Sequence, residues 1–161
     1  MDAERLIGMS LHALAGSADA LGIVAEAWQA QALAQAIGNE LALSGPKELR
    51  GAARELGEAG GQGPELLDQP GLRAGGIRAR QLSGVPDVRG ALTGLGLLLA
   101  EVGIALVAVA SVTDEEGLYW QCMEAIDAAD ESNDRVGGML RRLLAQERER
   151  ASGRSGDPAG F

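Results

Sequence analysis

Aromatic side chains are almost missing from this chain: Trp28, Tyr119, Trp120 and Phe161 are all it holds among 161 residues. β-branched residues are scarce as well, and without both kinds a sheet has little to build on. Cysteine occurs once, at Cys122, which excludes an intrachain disulfide and suits a reducing, cytoplasmic setting. Histidine also occurs once. His12 has Met9 rather than glutamate three residues before it, so the paired Glu-x-x-His motifs of a di-metal bundle are absent. No His with Asp or Asn accompanies Cys122 as a nucleophile set requires. The glycine-rich Gly57–Gly63 stretch has no Lys-Ser or Lys-Thr after it and no strand before it, so it reads as a linker rather than a phosphate loop.

Concentrated positive charge is missing too. The net charge is −9. Residues 1–45 hold one arginine against five acids, residues 46–89 seven basic side chains against six acidic, and residues 90–161 six against twelve. No segment offers the field that a phosphate backbone requires, so nucleic acid is not an expected partner. Arg73, Arg78 and Arg80 follow the Pro46–Glu58 segment, but Gly75 and Gly76 spoil a recognition helix there. A signal peptide is not indicated either, because the first residues are acidic where a basic flank belongs. No catalytic residue, metal or cofactor is expected.

What the chain does have is alanine, leucine and one long apolar run, from Pro86 to Val112. After Arg89 its only charged side chain is Glu101. The run shows no period-2 alternation and is too long for a strand, so it reads as a helix apolar on nearly all sides. Such a rod is expected to be buried by the rest of the chain. It is long enough to span a bilayer. A mid-span acid costs roughly 2.5 to 3.5 kcal/mol, however, and Asp114, Glu115 and Glu116 give no positive-inside anchor. A transmembrane span is therefore not expected.

The fold class is all-α. Helices are expected at Asp2–Ala15, at Ala18–Leu43 with Ser17 as cap, and at Pro46–Glu58 with Leu49, Ala53 and Leu56 inward. One turn at Pro64–Asp68 and a glycine-weakened helix at Gly71–Ser83 follow. Pro86 suits the first turn of the central helix. Thr113 with Glu116 has the form of a capping box that starts a last helix over 114–150. In it Leu118, Cys122, Ala125, Ala129, Ser132, Val136, Met139 and Leu143 alternate spacings of four and three, a packing seam. The two long helices form an antiparallel hairpin covered by three or four shorter ones, as one domain over 1–151 with a flexible tail over 152–161.

Three features invite chemistry. On the last helix Trp120, Glu124, Asp127, Glu131 and Asp134 share a face opposite the seam. That row suits a basic protein partner, since Trp anchors interface centres; a grip on a divalent cation is its other use. Glu101 needs a partner or a proton if buried, with Arg78, Arg80, Arg89 or His12 as candidates. A cavity between the central and last helices, lined by Leu97, Glu101 and Cys122, would take an apolar small molecule.

Two phrases, IVAEAWQAQALAQAI (Ile23–Ile37) and TDEEGLYWQCMEAIDAADESNDRVGGMLRRL (Thr113–Leu143), flank LGLLLAEVGIALVAVA. Together they resemble a family of small uncharacterised proteins from streptomycetes and related actinobacteria, a domain of unknown function. The resemblance implies a cytosolic bacterial protein and transfers no functional residue. The reading is a non-enzymatic bundle that works by protein contact, as adaptor or regulator, with a homo-oligomer among its forms; the alternative is the apolar-ligand carrier.

Overall fold

The helix at the centre of the molecule is α2, Ala20–Ser44. Asp19 opens it, its carboxylate accepting the Gly22 N–H at 2.6 Å. Ser17 is not the cap; its hydroxyl donates back to the Ala13 carbonyl. Every residue from Ala27 to Gln35 is buried, because α1 (Ala3–Ala15), α3 (Arg50–Glu58), α4 (Val88–Val112) and α5 (Glu116–Ser155) all pack on α2. Alanines dominate its sequence, and small side chains let several helix axes approach one rod. The computed structural model describes residues 1–59 and 76–155.

A helix enclosed this way must satisfy its polar side chains inside the protein. Three buried glutamines do so. Gln29 Nε2 donates to the Gly76 carbonyl at 2.6 Å while its Oε1 accepts the Arg78 N–H at 3.1 Å. Gln31 and Gln35 both donate to the Ala59 carbonyl at 2.9 Å, just past α3. Gln31 Oε1 also accepts from the Ser132 hydroxyl of α5 at 3.0 Å. These bonds fasten three separate segments to α2. At Gly38 the contact with α3 is backbone to backbone: a Cβ there would lie 2.6 Å from the Gly57 nitrogen.

The hairpin of α4 and α5 is present. Arg89 bonds Glu147 and Gly96 lies beside Val136, so the two helices run antiparallel. α4 starts at Val88 with Asp87 as cap, and Pro86 stands just outside it. Thr113 ends α4, its N–H bonding the Val109 carbonyl, while its hydroxyl accepts the Glu115 N–H at 3.2 Å. Serving both helix ends, it makes no box with Glu116, and α5 begins two residues later than expected. Along α5 Cys122, Ala125, Ala129, Ser132, Val136 and Met139 are buried as the seam predicts, with Ala128 added and Leu118 and Leu143 half-buried. The helix continues to Ser155, through the expected start of the tail. α2 equals α4 in length at 25 residues, so the cover is not made only of shorter helices.

In the third helix region a 3-10 turn at Lys47–Leu49 precedes α3, and Leu49, Ala53 and Leu56 point inward as expected. Residues 60–75, which hold most of the glycine-rich linker, the Pro64–Asp68 turn and the start of the Gly71–Ser83 helix, lie outside the described residues, as do 156–161. From Gly76, in the left-handed region at φ 75°, the chain makes only a 3-10 turn, Arg78–Gln81. Ser83 and Gly84 then pair with Met1 and Ala3 at 2.9 and 3.1 Å.

The expectation that the Pro86–Val112 rod is enclosed on every side does not hold. Leu92, Leu95, Leu98, Leu99, Val102 and Leu106 face the core, but Leu97, Ile104, Val107 and Val112 are 54, 66, 52 and 80% exposed. α1, α2 and α5 flank α4, and among the described residues nothing covers its fourth side.

Candidate functional site

Two surfaces carry the unusual chemistry, and both belong to the hairpin. The first is the outer face of α5. Trp120 is 60% exposed, and Glu124, Asp127, Glu131 and Asp134 all stand in solvent along the same side. No amino-terminal helix covers the indole; Tyr119 meets it edge-on, with ring centroids 5.3 Å apart. Arg135, adjacent to Asp134 in sequence, turns away to Glu55 of α3 at 3.0 Å. Asp127 and Glu131 stand one turn apart, a like-charge spacing that destabilises an isolated helix by a few tenths of a kcal/mol. Among the described residues, no three His, Cys, Asp or Glu side chains gather closely enough to hold a metal ion.

The second is the bare face of α4, with grooves along it. Toward α1 the groove is lined by Leu11, Leu14, Leu97, Glu101, Ile104 and Ala105, and has a volume of about 390 Å³. Toward α5 a groove of similar volume has Leu99, Ala100, Gly103, Val107 and Ile126 along it, with Asp130 and Asn133 on its rim. α4 is also the one described helix long and apolar enough to cross a membrane, with a mean hydropathy of 2.4 in its most apolar window.

Leu97, Glu101 and Cys122 do not converge. Leu97 and Glu101 border the α1 groove, whereas Cys122 is fully buried in the core on the seam of α5. Burial pushes the Cys122 thiol above its ordinary pKa, which leaves little thiolate at neutral pH. Glu101 is exposed and needs no counter-ion. Of its candidate partners Arg78 forms a two-pronged ion pair with Glu26 and Arg89 pairs with Glu147, while His12 is exposed on α1. The buried glutamines of α2 were not singled out from the sequence. Their signal is the spacing itself: Gln31 and Gln35 share one side of the helix and Gln29 lies on the opposite one, which no single solvated face accommodates.

The chain belongs to a family of unknown function, DUF6099, whose family model matches residues 1–142. That span covers α1 to α4 and α5 as far as Arg142, and so includes both surfaces. No curated protein matches the chain, and no solved structure does.

Proposed function

We propose that this family member is a non-enzymatic helical bundle that acts by protein contact, as an adaptor or regulator, in an actinobacterial cytosol. The docking face is the outer side of α5, and the partner presents a basic segment with an apolar anchor point. The observation that carries this reading is Trp120: a large ring 60% exposed at the head of a row of carboxylates. An indole gains most by burial at an interface centre, and the acids steer a cationic partner to it.

Affinity capture from the native host tests the reading when run in parallel with the variant Glu124→Gln, Asp127→Asn, Glu131→Gln, Asp134→Asn. A partner lost from the variant and from high salt, at unchanged melting temperature, supports docking; a partner that stays bound overturns it. The apolar-ligand reading keeps one observation, the grooves beside α4, each near the lower end of small-molecule sites. All three are open to water. Saturable binding of an apolar fluorescent probe, lost in Ile104→Gln, would favour it.

A further inference from the structure

The bare face of α4 is ordered along the helix. Arg89, Thr93, Leu97, Ala100, Ile104, Val107 and Ser111 are all exposed, and Glu115 in the following turn continues their line. The spacings are four, four, three, four, three, four and four. The series reads the same from either end, with its centre at Val102. Within it the pattern alternates by three and four, the repeat of a helix seam that packs knobs into holes. α4 therefore carries two such seams, and among the described residues only one is used.

We propose that this second seam is where two copies of the chain pair, their α4 helices antiparallel about a two-fold axis beside Val102. Such an interface places the same patch on both sides, so it must be self-complementary. The pairing sets Ala100 against Ile104 of the other copy, small against large, and Leu97 against Val107. Thr93 meets Ser111. Their hydroxyls donate to Arg89 and Val107 carbonyls of their own helix, at 2.8 and 2.7 Å, and bring no unpaired donor to the contact. At each end Arg89 meets the acidic turn Asp114–Glu116. Its present bond to Glu147 joins side chains 59 and 41% exposed, a contact weak enough to share. Glu101 stays on the edge toward α1, in reach of water.

Lipid is the other occupant an apolar face admits, and the charges disfavour it. Glu101, Asp114, Glu115, Glu116 and Asp130 ring the strip, where interfacial helices carry Lys and Arg to meet anionic headgroups. Spanning a bilayer would also require pulling Leu92, Leu95, Leu98 and Leu106 out of the core they share with α2. The pairing does not rest on the acidic face of α5, and either can fail alone.

Crosslinking tests the register. The double variant Leu97→Cys, Val107→Cys is expected to form covalent dimers under mild oxidation, and neither single variant is. In the antiparallel register like positions sit about 15 Å apart along the axis, as do the two sites within one chain, well beyond disulfide reach. Cys122 is buried and stays out of the reaction. Sedimentation across the micromolar range should show reversible dimerisation that Ile104→Asp weakens roughly thirtyfold or more. A wild-type chain monomeric throughout overturns the proposal, as does crosslinking by either single variant. So does cosedimentation of the monomer with phosphatidylglycerol vesicles.

Discussion

α2 and α4 have the same length, and α4 is the more apolar of the two, yet it is α2 that the fold encloses. Among the described residues α2 packs on four other α-helices and α4 on three. What separates them is less the total hydrophobicity than the kind of side chain. α2 intersperses four alanines and three glutamines through its buried stretch, 27–35, so neighbours come close and find hydrogen bonds waiting. α4 has leucine, isoleucine and valine around most of its circumference and no polar tie except its ends. Apolarity measures how much a helix gains by losing water; it does not supply the neighbour. Where an enclosed helix carries polar side chains, those must be paired as well.

Truncation breaks this comparison most sharply. Leu33→Ala in α2, at a site 2% exposed, should lower the unfolding free energy by about 2–5 kcal/mol. Leu97→Ala in α4, at 54% exposure, should lower it by less than about 1 kcal/mol. Denaturant melts at low protein concentration read both. Equal losses would mean that α4 is covered in solution as α2 is.

Gly38→Ala comes next. The added methyl would sit 2.6 Å from the Gly57 nitrogen and 2.8 Å from the Ala53 carbonyl oxygen, so α3 must move away from α2. Overpacking of that kind costs about 1–3 kcal/mol. An α4 glycine makes the contrast: around Gly103 the space is open, and Gly103→Ala should stabilise by about 0.5–1 kcal/mol through helix propensity alone.

The glutamine ties sharpen the comparison through a pair of changes. Gln31→Leu leaves the fully buried Ser132 hydroxyl without its acceptor, at a cost of about 1–3 kcal/mol. Adding Ser132→Ala should recover a large part of that loss, because an apolar pair of similar shape leaves nothing unsatisfied. If the second change only adds to the first, the bond between them carries no weight in the fold.

The helices, the inward residues of α3 and the seam of α5 were legible because periodicity reports them directly: Cys122, Ala125, Ser132 and Met139 repeat at the spacing of a buried line. The stripe of Trp120, Glu124, Asp127, Glu131 and Asp134 was legible for the same reason, as the complement of that line. Periodicity failed on α4, where an apolar residue stands at nearly every position and no face is distinguished from another. On α2 it did not report Gln29, Gln31 and Gln35, whose side chains donate to the Gly76 and Ala59 carbonyls while Gln31 accepts from the Ser132 hydroxyl. Those partners are distant in sequence, and no local pattern names them.

The smallest expected effect is also the most telling about α4. Changing Leu97, Ile104 and Val107 together to Gln removes three apolar side chains that the folded monomer leaves in water, and glutamine is a good helix former. Each change should therefore shift monomer stability by no more than about 0.5 kcal/mol. The same change removes the middle of the exposed seam. A chain that pairs through that seam gains stability as its concentration rises, since only the folded form can associate. The wild-type melting temperature should thus climb with concentration while that of the triple variant stays flat, and the two should coincide at high dilution. A triple variant that melts well below the wild type even at high dilution would place these side chains inside the monomer's own packing, and the contrast between α2 and α4 would disappear.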